Sequence, residues 1–414
     1  MSQHNPRSRR AFLQAATAAA AWRSLGLAVP YARYLPIGLM PVVATAAGED
    51  ILASLGKPGL KLLGDRPINA ETPAHLLDDA VTPASRLFVR NNGVPPESVG
   101  DPDLWELRVH GEACLKPQTL TLAELKRQFR PVTLQLQLEC AGNGRGEFRP
   151  RTSGNQWTTG AIGCPEWTGV RLADVLTHCG VAGNAVYVAY KGADTHLSGD
   201  ANKSPISRGA PVAKAMEKES LLAFAMNGAP IPPVHGAPLR LVVSGWPASV
   251  SGKWLRELLV RDRVHDGEKM DEGSYRMPCK PVAPGAKVPN DEMCIIGSLP
   301  VKSLITFPES GRSVALGTPV ALRGHAWAGD RAVKRVDVST DFGATWQTTR
   351  LKAPVNRLAW QHFDTELKFS QPGYYEVWAR ATDTAGHAQP MLVPGWNPKG
   401  YLNNACHRIA VQVV

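Results

Sequence analysis

No Cys-x-x-Cys pair occurs anywhere in the 414 residues, and neither does Cys-x-x-Cys-His. The first absence removes the usual zinc-site spacing, the second a covalently attached haem. Long basic runs are missing too. Lys and Arg number 46 against 36 Asp and Glu, a net charge of +10. Half of that excess comes from Arg7, Arg9, Arg10, Arg23 and Arg33, in the first 46 residues, where no acid occurs. The remainder is too dilute for a nucleic-acid-binding surface and reads as ordinary solvation. Near the N-terminus the longest uncharged stretch, 34–48, has 15 residues and carries Pro36 and Pro41. A membrane span needs roughly 18 to 20 apolar residues, so none is expected here.

What is present suggests a globular chain of two or three domains, because apolar residues make up 43% and charged residues 20%. Ser8-Arg9-Arg10-Ala11-Phe12-Leu13-Gln14 precedes an alanine-rich stretch and resembles a twin-arginine export signal. Ala44-Thr45-Ala46 has the small-x-small form of a cleavage site, although Arg23 and Arg33 interrupt the apolar region. The expectation is an export signal over 1–46 and a periplasmic protein exported folded; a disordered tail is the alternative. Seven cysteines are an odd number, so at least one is unpaired within the chain. A Cys279–Cys294 disulfide is conceivable, with buried free thiols expected for most.

Residues 47–85 are Pro-punctuated and read as an arm wrapping the body. Over 86–277 short strands alternate with short helices. Residues 105–109 alternate with period two, 134–138 and 239–243 are strand-like, and 170–179 reads as a helix ended by Gly180. Thr121 and Glu124 form a capping box at the start of another helix. Four prolines within 278–289 make 278–293 an extended linker. From 294 to 414 helix signals vanish. A hairpin is predicted from 333–339 through Asp341-Phe342-Gly343 to 345–351, and 373–381 alternates cleanly. The fold class is α+β: a mixed α/β domain followed by an all-β immunoglobulin-like sandwich.

The most unusual string is Glu139-Cys140-Ala141-Gly142-Asn143-Gly144-Arg145-Gly146, directly after a strand. Small residues there would let backbone approach something large and flat. Arg145 places a cation near the thiol and favours thiolate, the form that ligates metals. Alone, the string equally fits a structural cysteine before a glycine-rich turn.

Leu138-Glu139-Cys140-Ala141-Gly142-Asn143-x-Arg145, followed by Trp157-Thr158-Thr159-Gly160-Ala161-Ile162, resembles the core signature of the sulfite oxidase family of molybdenum enzymes. The match extends to Phe88-Val89-Arg90-Asn91-Asn92 with Pro95, Met226-Asn227-Gly228, His235-Gly236-Ala237-Pro238-Leu239-Arg240 and Lys253-Trp254-Leu255. It ends with Gly395-Trp396-Asn397-Pro398-Lys399-Gly400 and Asn403-Asn404-Ala405-Cys406-His407-Arg408, so that residues 80–412 are covered in the family's order.

The resemblance implies a molybdenum-molybdopterin cofactor with Cys140 as the one protein ligand to the metal. It implies an anion pocket of Arg90, Arg145 and Lys399 with Trp157 and Tyr275 beside it. Asn91, Asn92, Asp194, His235, Arg240, Ser251, Gly252 and Lys253 would hold the pterin and its phosphate. Read by themselves, His235 also fits a surface histidine, Arg240 a sheet-edge charge and Trp157 plain core; Tyr275 rests on a one-residue shift. Two positions depart from the family pattern: Asn92 where histidine is usual, and Lys399 where arginine is.

The implied activity is periplasmic oxidation of sulfite to sulfate. With no haem in this chain, electrons would pass to an external c-type cytochrome. The sandwich resembles the family's dimerisation domain, which implies a homodimer. The alternatives are a sulfane-sulfur dehydrogenase subunit, a molybdenum reductase acting on sulfoxides, and a non-catalytic scaffold.

Overall fold

The computed structural model describes residues 46–270 and 273–414. The arginine pair and the alanine-rich stretch read as an export signal lie outside the described residues.

The arm is built into the site. After the helix Ala46–Ser54, strands Lys61–Asp65 and Ile68–Glu71 form an antiparallel pair, and Val89–Arg90 adds a third strand with Asn69 opposite Arg90. Pro73 and Pro83 each precede a single 3-10 turn, as their fixed φ and missing N–H favour. The arm's sheet therefore sets where Arg90 stands.

Two five-stranded sheets form the body of the first domain. In one the order is Gly209–Pro211, Tyr187–Gly192, Leu255–Arg261, Glu106–His110, Gln118–Thr121, antiparallel except where Leu255–Arg261 runs beside Glu106–His110. Leu107 and Val109 point inward while Glu106 and Arg108 face out, the half-buried alternation that the sequence predicts. The Thr121 capping box closes in both directions, with Thr121 Oγ1 accepting from the Glu124 N–H (3.1 Å) and Glu124 Oε2 accepting from the Thr121 N–H (2.9 Å). In the other sheet Glu166–Arg171 lies between Pro131–Gln135 and Leu221–Met226, to which Arg240–Val242 also pairs.

This second sheet corrects one expectation. Val170 and Arg171 end a strand, and the helix runs only over Leu172–Cys179, ending at Gly180 with φ +72°. Neighbours on both sides of Glu166–Arg171 offer ladder partners, and pairing outweighs the weak helical preference of two residues.

The Pro-rich segment is not an open tether. Arg276–Pro278 pairs antiparallel with Met293–Ile295, and a Cys279–Cys294 disulfide staples the base of the loop. The five other cysteines are free and buried.

Beyond it, a four-stranded sheet (Lys302–Phe307, Val320–Trp327, Gln361–Leu367, Arg350–Leu351) faces a five-stranded one (Arg312–Val314, His407–Val413, Gly373–Asp383, Val333–Ser339, Gln347–Thr348). Leu322, Val336, Phe363, Val377 and Val411 fill the space between them. The expected hairpin forms, but its return is split: Gln347–Thr348 pairs back to Val333–Ser339, whereas Arg350–Leu351 crosses to the other sheet. The domains join through Leu77, Ile162 and Cys164 packed on Leu304, Trp327 and Trp360. Among the described residues no helix is long and apolar enough to cross a membrane.

Candidate functional site

Cys140 follows the short strand Leu138–Glu139, which pairs with Ile162–Gly163. Its N–H donates to the Ala161 carbonyl (2.9 Å), and its own carbonyl accepts from the Asn143 N–H (2.9 Å), closing a tight turn. The thiol is free, buried, and stands where two cavities meet. The glycines after it do not clear space for a ligand, as the sequence suggested. A Cβ at Gly142 would lie 2.5 Å from Arg145 Nη2, and one at Gly144 (φ +93°) 2.7 Å from Asn403 Nδ2. The protein's own side chains occupy that room.

The inner cavity has aromatic and aliphatic walls that include Phe88, Tyr190 and Trp254. Its polar lining is lopsided: among the described residues Arg90, Arg240, Lys253 and His235 face a single carboxylate, Asp194. Arg240 Nη1 donates to the His235 carbonyl (2.9 Å); Lys253 Nζ donates to Val234 O (2.9 Å) and to Asn91 Oδ1. Burial pushes Arg240 down to about 10 and Lys253 well below the usual lysine range, with Arg240 next to Lys253 adding to the effect. His235 is held well below the ordinary histidine value, first by burial and then by the Lys57, Lys253 and Arg240 cations. Burial raises Asp194 against the pull of Lys253. Buried like charges of this kind are costly without an anion among them. Arg240 Nε and Ser249 Oγ, both buried, have no hydrogen-bond partner among the described residues. Cations, unpartnered donors and flat apolar walls fit a phosphate-bearing pterin.

Two of the residues expected at the pterin offer the cavity no free side-chain donor. Ser251 Oγ lines the cavity but is engaged with the Val243 backbone, accepting from its N–H (2.9 Å). Gly252 is not in the lining; it is glycine because a Cβ would sit 2.3 Å from the Tyr190 ring. Sequence reasoning missed Lys57, whose ammonium is buried in the arm, donates to Leu87 O (2.9 Å) and Ala84 O, and lies 2.5 Å from His235 Nε2. Burial lowers it to about 7. No motif surrounds it, so only the fold reveals it.

The outer cavity reaches Cys140 from the other side. Arg90, Arg145, Lys269 and Lys399 line it, and among the described residues no carboxylate does. Arg90 is aimed by Asn69 Oδ1 (3.3 Å), the Asn91 carbonyl, Asn92 Oδ1 (2.9 Å) and the Tyr275 hydroxyl (3.4 Å). Burial would lower Arg90, but Tyr275 and Cys140 beside it carry the net shift upward. Arg145 is held by Nε to Lys399 O (2.7 Å) and Nη1 to Asn155 O (3.1 Å), with its guanidinium 5.0 Å from the Tyr401 ring centre. Asn91 lines this cavity while its N–H donates to Asn69 Oδ1 (2.9 Å).

Asn92 Oδ1 gathers donors from Arg90, from Lys269 (2.9 Å) and from Tyr275 (3.2 Å). A carbonyl oxygen can do this where a histidine would offer only one lone pair. Tyr275 has φ +54°, uncommon for a bulky residue, and is fixed by stacking on Tyr401 (5.8 Å) and by Arg208 over its ring (4.7 Å). Burial would raise its phenol, yet Arg90 and Lys269 bring it below the usual value. Lys269 is the second residue that sequence reasoning missed.

Trp157 is placed differently from the expectation. It lines neither cavity, is fully enclosed, and packs in one core cluster with Phe88, Leu138 and Cys140. Its large apolar surface is better buried behind the thiol than at a wet cationic mouth.

A soft sulfur donor between a cationic chamber and a cationic cup, on this pair of domains, defines a molybdenum-pterin oxidoreductase. Residues 92–269 match the oxidoreductase molybdopterin binding domain, and 293–414 the Mo-co oxidoreductase dimerisation domain. The chain is 37% identical to mitochondrial sulfite oxidase of Homo sapiens over 86% of its own length, and 34% identical to sulfite oxidase of Gallus gallus over 85%, covering 77% of the latter. It spans 66% of the length of the human relative. Nitrate reductase [NAD(P)H] of Hordeum vulgare is 32% identical over 86% of this chain and 42% of that protein. Among solved structures, the sulfane dehydrogenase SoxCD from Paracoccus pantotrophus superposes with a TM-score of 0.69 at 27% identity, covering 91% of this chain and 92% of that one.

The chain belongs to the sulfite oxidase family of molybdenum enzymes, and its cofactor is molybdenum-molybdopterin.

Proposed function

We propose that the protein is a periplasmic sulfite dehydrogenase that converts sulfite and water to sulfate, two protons and two electrons, the electrons passing to an external c-type cytochrome. The observation that carries this reading is the outer cavity, where Arg90 and Arg145 and two lysines stand around Cys140 at its inner end. Such a cup suits a small dianion.

Cys140 would hold the metal, which supplies the two-electron redox couple when bound. Arg240, Lys253, His235 and the Ser249 hydroxyl would hold the pterin and its phosphate, with Lys57 behind His235. Arg145 spends two nitrogens on backbone carbonyls, while its Nη2 has no hydrogen-bond partner among the described residues and is left for an anion. Arg90, oriented by Asn92 and Tyr275, supplies the second fixed cation. Lys399 and Lys269 are point charges that draw the dianion in without the paired geometry of a guanidinium. The export signal fits this reading, since a bulky pterin must be inserted before a folded protein is exported. The match to a dimerisation domain supports a homodimer.

Similarity to SoxCD favours a second reading, turnover of a sulfane sulfur on the same scaffold. The deciding assay measures molybdenum in protein from a pterin-competent host together with ferricyanide or cytochrome c reduction. Sulfite-dependent reduction is expected. Reduction with a sulfane-sulfur donor and none with sulfite selects the second reading.

A further inference from the structure

Glu139, the residue before Cys140, lines neither cavity, yet its carboxylate is 2% exposed and gathers three donors. Asn143 Nδ2 and Lys302 Nζ donate to Oε1 at 3.0 and 2.7 Å, and Trp327 Nε1 donates to Oε2 at 2.7 Å. Lys302 and Trp327 belong to the β-sandwich, where they are direct cross-strand partners at adjoining ends of Lys302–Phe307 and Val320–Trp327. The second domain thus presents a cation and an indole N–H side by side to one buried carboxylate of the first.

The grip continues into the metal-ligand turn. Lys302 Nζ also donates to the Asn143 carbonyl (3.2 Å), and Asn143 Oδ1 accepts from the Ala161 N–H (3.1 Å). With the Cys140 N–H bound to Ala161 O and the Cys140 carbonyl to the Asn143 N–H, the peptides on both sides of the thiol are tied to this network. A buried carboxylate is stable only when paired, so its position follows its donors. A shift of its Cα would move the next residue, and a metal ligand tolerates little displacement.

We propose that Glu139, Lys302 and Trp327 are positioning residues through which the β-sandwich sets the Cys140 thiol relative to the metal. Docking of the second domain then determines ligand geometry as well as assembly. The proposal rests on the reading of Cys140 as the metal ligand, and is independent of which anion is turned over.

The test compares cofactor-loaded Lys302→Met, Lys302→Arg and Trp327→Phe proteins with the wild type, and with Arg350→Gln as a control in an exposed ion pair of the same domain. Molybdenum content, the visible thiolate-to-molybdenum absorption band, and kcat per molybdenum and KM with sulfite are recorded. Lys302→Met and Trp327→Phe should shift the band and lower kcat per molybdenum by about tenfold, the scale on which support of a metal ligand acts, while KM changes by less than about twofold. Lys302→Arg should recover most of the loss, and Arg350→Gln should match the wild type. If Lys302→Met fails to accumulate, Trp327→Phe, which removes one N–H and keeps a ring, decides. Loaded variants with an unmoved band and normal kcat per molybdenum, reduced only in yield, overturn this proposal alone. A wild type devoid of molybdenum overturns the reading of Cys140 and the proposal together.

Discussion

Arg145 and Lys269 of the outer cup are held by different partners, and the difference predicts different lesions. Arg145 is tied to two backbone carbonyls, so Arg145→Gln should raise KM for sulfite by about tenfold or more with a smaller effect on kcat. A change confined to kcat would contradict its role as an anion-binding cation. Lys269→Met should also raise KM, and should flatten the dependence of KM on ionic strength, because part of the steering field goes with the charge. Trp157→Phe separates the two placements of that residue: buried behind Cys140, it should leave KM within about twofold, whereas a large rise would return it to the anion pocket. Much of this site was legible in the sequence, because Cys140, Arg90, Arg145, His235, Arg240 and Lys399 sit in dense motifs that also match a family. Lys57 and Lys269 were not. Each is one lysine in a segment without periodicity, brought to the site by an arm and a loop whose course depends on tertiary contacts.

At the scale of elements, close backbone approach and cross-linking carry the site. Gly252→Ala would push a methyl into the Tyr190 ring, 2.3 Å away. A shift of Tyr190 or of the 251–253 segment displaces Lys253, so cofactor content should fall before the protein unfolds, as molybdenum per chain would show. Removing the disulfide opens a 15-residue loop, worth about 3 kcal/mol in the chain-entropy account. The double variant Cys279→Ser/Cys294→Ser should therefore lose several degrees in melting temperature. It should also raise KM, since Tyr275 immediately precedes the stapled strand; unchanged stability and KM would show that the loop holds without its bond. Local signals read well where they act alone, as in the Thr121 capping box and the alternation of Glu106–His110. They failed at Val170 and Arg171, where two neighbouring strands supplied ladder partners invisible from local sequence. The Pro-rich stretch was legible as non-helical, but pairing across its base was not, since it joins residues with no shared period.

On the scale of the whole molecule, two buried histidines outside both cavities are shifted strongly toward the neutral form. His325, at the contact between arm and sandwich, is lowered to about 3, first by burial and then by His362; His407 is lowered to about 4 by burial and then Lys302. Both are depressed in the folded state, so the unfolded chain binds more protons below about pH 6.5. Their contribution is complete above that value and is lost as pH falls toward their folded values. Each can contribute up to about 1.4 kcal/mol per pH unit in that window. Urea midpoints should fall steadily from pH 7 to pH 5; a flat or rising profile would contradict the buried neutral state. The two-domain plan was visible in the change from mixed to all-β patterning. The latch between domains at Glu139 was not, because it joins residues more than 160 positions apart. The most direct measurement for the whole assembly is X-ray absorption fine structure at the molybdenum edge, on wild type and on Cys140→Ser with metal retained. One sulfur neighbour fewer in the variant, together with collapse of sulfite turnover, is required if this thiol bonds the metal. An equal sulfur count in the two proteins would refute it.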